Sequence, residues 1–145
     1  MRKELSPDTL AELEKHFGTF HDAVIHNVSF ELFSKSKPYS VCITVGTQDL
    51  TLAPPNNWIN LTFEIVEITK FILEKTRNYD FSIIFQLNIR FFDDEIYLDF
   101  FPYTENPMSI DDFWRRADSK GPIFIVIGKK CYWQTSPYRE QGAIA

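Results

Sequence analysis

Phe81, Ile83, Phe85, Leu87, Ile89 and Phe91 make six consecutive matches to a period of two, with Ser82, Gln86, Asn88 and Arg90 on the opposite parity. That period belongs to a strand, whose successive side chains leave opposite faces of a sheet. The stretch is therefore predicted as the clearest strand of the chain, and the rest must pack with it.

The alternation recurs upstream. Val24, His26, Val28, Phe30 and Leu32 alternate with Asn27, Ser29 and Glu31; Val41, Ile43 and Val45 alternate with Ser40, Cys42 and Thr44; Ile59, Leu61, Phe63 and Ile65 alternate with Asn60, Thr62 and Glu64. Each reads as a half-buried strand. Gly46-Thr47-Gln48-Asp49 is expected to turn the chain into a short strand through Leu50 and Leu52, and Pro54 to Asn57 to form a loop. Residues 66–75 fit two patterns: Ile65, Ile68 and Ile72 suit a helix, whereas Val66, Ile68 and the β-branched content suit a strand, which is preferred. Downstream, Asp93-Asp94 joins the 81–91 strand to Ile96, Leu98 and Phe100, separated by Tyr97 and Asp99, as a hairpin that Pro102 ends. Ile123 to Ile127 is a short apolar strand, and Gly128-Lys129 is expected to turn it tightly back into Cys131, Tyr132 and Trp133.

Two helices complete the inventory. Ser6 is expected to cap the first, residues 7–17, with Pro7 at its first position, Leu10, Leu13 and Phe17 on one face and Gly18 as its left-handed stop. The second opens at Ser109 and Asp112, which have capping-box spacing, carries Ile110, Phe113, Trp114 and Ala117 on one side and stops near Gly121-Pro122. The expected fold class is α+β: a single, mainly antiparallel, strongly curved β-sheet of about six to eight strands with two helices on an edge or face. Residues 1–135 form one domain in this reading and 136–145 a C-terminal tail.

Composition narrows the function. The 14 Phe, 6 Tyr and 3 Trp among 145 residues point to an aromatic, β-rich core. A formal charge of -5 disfavours nucleic acid, whose affinity rests on Lys and Arg displacing counterions. No apolar run approaches the roughly 20 residues of a membrane span, so no membrane partner is expected and the chain reads as cytoplasmic. Cys42 and Cys131 are then expected to stay free, and the sequons at Asn27 and Asn60 have no glycosylating compartment to act in.

The candidate sites are few. His21-Asp22 resembles half of a metal-dependent phosphohydrolase site, but His16, His21 and His26 are the only histidines; His21 and His26 have opposite parity and would need a bulge to share an ion. The structural alternative has Asp22 turning the chain through its side-chain acceptor, His21 bonding nearby backbone and His26 standing as a hydrogen-bonded core histidine. Asp93, Asp94, Glu95 and Asp99 could supply paired carboxylates, yet a hairpin tip keeps the first three in water. Lys130 could lower the thiol pKa of Cys131, against inert packing as the alternative. Tyr97, Phe101 and Phe92 lie on the polar parity and would form an exposed apolar patch suited to a protein partner or a second copy. No nucleophile-elbow, P-loop or dinucleotide motif is present, and no cofactor or metal is expected.

The segments FHDAVIHNVSFEL, YSVCITV and INLTFEIVEI together are similar to a broad group of small, largely uncharacterised bacterial proteins. In these an aromatic-His-Asp-Ala or Ser start leads into a strand, a second strand and a Leu-x-Phe strand. Some members resemble the immunity proteins of polymorphic toxin systems. The resemblance covers residues 19 to 68 and implies an antiparallel α+β domain without catalysis and, for immunity-like members, tight binding to a cognate toxin. Phe20, His21, Asp22 and Ala23 match the motif, which carries no established catalytic role. Glu64 and Ile65 depart from it, because a Gly commonly follows the Phe there. The expected function is binding of another protein, a toxin or a second copy, with His21, Asp22, His26, Tyr97 and Phe101 as candidate binding residues. The alternative is a small-molecule binder or enzyme whose curved sheet encloses an aromatic pocket around His26.

Overall fold

Trp58 to Glu74 forms a single 17-residue strand, β4, in the computed structural model, which describes residues 2–32, 38–74, 83–84, 86–101 and 123–138. The ambiguous stretch after Ile65 is thus a strand. Its β-branched side chains continue the sheet past a bulge between Ile68 and Lys70, beside Glu67 at φ 57°.

Seven further strands surround it: β1 (Lys3–Leu5), β2 (Ala23–Glu31), β3 (Ser40–Gln48), β5 (Ile83–Ile84), β6 (Asn88–Phe92), β7 (Glu95–Asp99) and β8 (Ile123–Pro137). All pair antiparallel in the order β5-β2-β3-β4-β8-β7-β6. Strand β8 is long enough to carry two neighbours on its second edge, β7 against Ile125–Gly128 and β1 against Cys131–Trp133. The expected mainly antiparallel single sheet is therefore present, with α1 (Leu10–Phe17) as the one α-helix among the described residues. The helix expected over 109–121 lies outside them. No helix among the described residues is long and apolar enough to cross a membrane.

The core lies between α1 and one face of the sheet. Val41, Ile43 and Val45 pair with Ile65, Phe63 and Leu61, and Phe63 pairs in turn with Trp133, so one row of apolar side chains crosses three strands. Leu13 and Phe17 of α1 close this face, with the Phe17 ring 5.6 Å from Phe20 and 6.1 Å from Trp133. The opposite face is polar at its centre, where the Thr44 and Thr62 hydroxyls meet at 3.0 Å and Arg2 bonds Glu64 over the Tyr132 ring.

Several boundaries differ from expectation. Helix α1 begins at Leu10: the Ser6 carbonyl accepts from the Thr9 and Leu10 amides, while Thr9 Oγ1 bonds the Ser6 amide and the Glu4 carbonyl. That side chain competes with the helical pattern and makes Ser6–Thr9 a turn, so neither Ser6 nor Pro7 starts the helix. Gly18, at φ 59°, does supply the stop. The alternating run 81–91 is not one strand. Ile83 and Ile84 pair with β2, the Leu87 amide donates to the Thr19 carbonyl at 2.9 Å, and β6 then pairs with β7. One run serves both ends of the strand order, and the three residues between β5 and β6 can reach at most roughly 14 Å. The Asp93-Asp94 hairpin is as predicted, with Asp93 at φ 55°.

Neither Gly46 nor Gly128 is a turn residue. Both sit inside strands, because a Cβ at Gly128 would stand 2.5 Å from Ile65 Cγ2, and one at Gly46 would stand 2.5 Å from His26 Nε2. Strand β3 thus runs through Gln48, and Leu50 and Leu52 fall in an exposed loop. Strand β8 runs unbroken through the predicted hairpin and includes Ser136 and Pro137, opposite Asn60 and Ile59. The domain boundary expected at 135 consequently falls within a strand.

Candidate functional site

Phe20 to Ala23 forms a tight turn between α1 and β2. The Ala23 amide donates to the Phe20 carbonyl at 3.0 Å, and both Phe20 (φ 63°) and Asp22 (φ 65°) are left-handed. Asp tolerates that conformation better than most residues, which explains its position. The turn is closed by backbone rather than by the expected Asp22 acceptor. Its inward residue, Phe20, is buried against Phe63 at 5.9 Å, whereas the His21 and Asp22 side chains are 68% and 66% exposed and contact each other at 3.1 Å. A water-exposed His–Asp contact gains little.

His26 departs further from expectation. Ile25 pairs with Val45 and Asn27 with Thr44, so His26 is the extra residue of a β-bulge. The bulge turns Ala23 and Ile25 into the core, sends Val24 to the other face and leaves Val28 and Phe30 on the core side. The His26 ring lies over Gly46 on the outer face, 5.7 Å from the Tyr138 ring, which is itself 5.6 Å from Trp58. Both ring nitrogens are buried and have no hydrogen-bond partner, in contrast to a satisfied core histidine. On the same face Asn60, directly opposite Gly46, has a buried Oδ1 in the same condition. Each such atom costs about 1–3 kcal/mol.

Tyr97 and Phe101 are 2% and 6% exposed, so they form no surface patch. Both faces of β7 are covered. Tyr97 packs with Ile123, Ile125 and Ile127 on one side, while Leu98 and Ile96 join the main core on the other. Burial pushes the Tyr97 hydroxyl pKa up. Asp99 is buried and accepts from the Phe101 amide at 3.0 Å, and Asp93 and Asp94 are exposed at the hairpin tip, with Lys129 3.1 Å from Asp94. The four carboxylates thus form no acid/base pair. Cys131 is buried and its pKa is pushed up by desolvation, the reverse of activation by Lys130. Cys42 faces the outer side, and the two thiols are free.

One grouping escaped the sequence reading because its members are distant in the chain. His16 Nδ1 lies 3.1 Å from Asp49 Oδ1; the Thr51 hydroxyl and amide donate to the same oxygen at 2.6 and 3.0 Å; and the Leu50 amide donates to the His16 carbonyl. Everything converges on Asp49, and the Thr51 hydroxyl is spent on the carboxylate, so the cluster clamps the 49–57 loop to the end of α1. Burial alone would raise the Asp49 pKa, but the Thr51 and His16 hydrogen bonds outweigh it and lower the pKa below its ordinary 3.8. A depressed carboxylate contributes stability that is complete above the unfolded pKa and lost as pH falls through the folded one. Asp49→Asn is therefore expected to cost roughly 1–2 kcal/mol at pH 7 and to flatten the acid limb of stability below about pH 4. Urea midpoints of both proteins across that range check this; parallel acid limbs contradict it.

Among the described residues no three His, Cys, Asp or Glu side chains converge to hold a metal. Surface concavities among the described residues include three. One of about 500 Å³ is bounded by Glu14, Gly18, Phe20, Gln86, Asn88 and Arg90; one of about 300 Å³ includes His21, Asp22, Thr47 and Leu50; a third, of about 200 Å³, adjoins Leu5 and the Asp93–Glu95 turn. His26 lines none of these three. Comparison of the chain with protein-family models, with curated proteins and with solved structures gives no match.

Proposed function

We propose that this chain acts without catalysis, as a cytoplasmic bacterial protein that binds another protein, with immunity-type capture of a toxin as the specific form. The observation that carries the proposal is an exposed apolar rim. Phe30 and Leu32 at the end of β2, Tyr39 at the start of β3 and Leu73 near the end of β4 are 43%, 58%, 58% and 46% exposed. Contacts tie this end of the sheet together: the Phe30 ring lies 4.7 Å from Phe71, and the Ile68 amide donates to the Tyr39 carbonyl. Large apolar side chains gathered at one end of a sheet suit a protein interface whose centre excludes water. The -5 charge favours a basic partner through electrostatic steering.

The test is co-production with the products of the flanking reading frames. One of them should be toxic alone and harmless beside this protein. Phe30→Ser with Leu32→Ser should weaken the complex about a hundredfold, two hot-spot side chains being removed, while the melting temperature holds. Equal binding by the double variant, or no complex with any flanking product, removes the proposal.

A second reading, a small-molecule binder, is favoured by the cavity of about 500 Å³ and its mixed lining of Phe20, Leu87, Glu14 and Arg90. This cavity adjoins the short link between β5 and β6. That link holds the two ends of the strand order close, which supports the strong curvature expected of the sheet.

A further inference from the structure

Gly46 is the floor of a slot whose present occupant is part of the chain itself. It is buried in the interior of β3, yet it carries no side chain, because a Cβ there would meet His26 Nε2 at 2.5 Å and Tyr138 Cε2 at 2.7 Å. A bare strand position of this kind marks the close approach of a ring to backbone. The walls are His26 from the β2 bulge, Asn60 opposite Gly46 on β4, and Trp58 two residues before it on the same face. The Tyr138 ring fills the space between His26 and Trp58.

The fit is apolar while the walls are not. A neutral imidazole has one donor and one acceptor nitrogen, and a carboxamide oxygen accepts. Tyr138 satisfies none of these: His26 Nδ1, His26 Nε2 and Asn60 Oδ1 are all buried without a partner. Nor is Tyr138 held by the ladder. The last rung of β8 is Pro137 opposite Ile59, proline has no amide hydrogen, and β1 leaves the other edge of β8 at Trp133. Among the described residues its ring meets His26 and Trp58, the contacts that an incoming ring would replace.

We propose that the slot over Gly46 binds a flat, uncharged heteroaromatic ring bearing an amino group beside a ring nitrogen, a nucleobase or nucleoside, which displaces Tyr138. The amino group donates to Asn60 Oδ1, the ring nitrogen accepts from the imidazole N–H of His26, and the ring stacks where Tyr138 now lies. The slot residues His26, Gly46, Trp58, Asn60 and Tyr138 include no Lys or Arg, so a phosphate would find neither of those partners there. The class is therefore a base or nucleoside rather than a nucleotide.

Adenosine, inosine and adenosine monophosphate are the probes, titrated into the full chain while the ring resonances of His26 and Tyr138 are followed by NMR. Inosine differs at the decisive point, an oxo group replacing the amino donor. Tyr138→Ala should bind adenosine about tenfold more tightly than the wild type, since the competing ring is gone. Inosine and the monophosphate should bind more weakly than adenosine, and Asn60→Leu in the same background should erase the preference over inosine. Equal binding of adenosine and inosine, or no saturable binding by a folded Tyr138→Ala protein, overturns the proposal. Should that variant not fold, the wild type decides: adenosine must shift the His26 and Tyr138 rings together, and a spectrum unmoved at saturating adenosine overturns the proposal equally. Neither result depends on capture of a protein at the Phe30 rim.

Discussion

Replacing Phe63 by Ala is expected to lower the folding stability by about 4 kcal/mol, within the 3–5 kcal/mol range for a fully buried Phe. Phe63 is fully buried at the centre of β4, pairs with Ile43 and Trp133, and holds its ring 5.9 Å from Phe20 and 6.5 Å from Phe100. The loss has two parts: the transfer of the ring out of water is forfeited, and the cavity cannot collapse, because its walls are ladder-bonded strands on both sides. A domain of this size is stable by about 5–15 kcal/mol, so a large share of the total disappears. A local consequence follows for the turn at His21 and Asp22. Phe20 is its inward anchor at positive φ and leans on Phe63, so the Ala23 amide should exchange with solvent faster in the variant. Phe30→Ala, a half-exposed ring, is the control, with an expected loss below about 1 kcal/mol. Urea midpoints at equal m-values compare them; a Phe63→Ala midpoint as close to wild type as that of Phe30→Ala contradicts the placement of the core.

The alternation identified β3, β7 and the first half of β4, up to Ile65, because each lies inside the sheet with one face against the main core, where period two is written without interruption. It failed where backbone, not side chain, decides. The bulge at His26 leaves no mark in the apolar pattern, since Val24, His26 and Val28 alternate as well as any straight strand would, yet Ala23 and Ile25 are the residues that turn inward. Gly128-Lys129 and Gly46-Thr47 read as turns because glycine serves turns and close approaches alike, and only the neighbouring strands show which. The 81–91 run divides for a related reason: the Thr19 carbonyl takes the Leu87 amide between the pairing of Ile83–Ile84 with β2 and that of β6 with β7. One missed signal was present. The wholly apolar Ile123–Ile127 run implies a strand covered on both faces, which would have placed Tyr97, its partner opposite Ile127, in the interior. The Asp49 clamp and the His26–Asn60 slot had no such signal, because each joins residues more than thirty positions apart.

Gly128 is where the longest ladder in the molecule leaves least room. It pairs with Ile68 of β4 on one side and Ile96 of β7 on the other, beside the bulge at which Glu67 is left-handed. A methyl group there would stand 2.5 Å from Ile65 Cγ2 and 3.1 Å from the Val66 carbonyl oxygen. The first contact involves a β-branched side chain that is fully buried and restricted at χ1, and the second involves backbone, so neither can give way cheaply. Gly128→Ala is accordingly expected to destabilise by about 3 kcal/mol, the upper part of the range for overpacking. For a chain of this length that is a fall of roughly 10 °C in melting temperature. Strand propensity alone predicts the opposite sign, since glycine weakens a strand interior relative to alanine. The measured sign therefore separates the two effects. Ile65→Ala, which removes Cγ2, combined with Gly128→Ala should not recover the loss in full, because the Val66 carbonyl still opposes the new methyl group; a double variant as stable as Ile65→Ala alone would mean that the side-chain contact is the whole of the constraint.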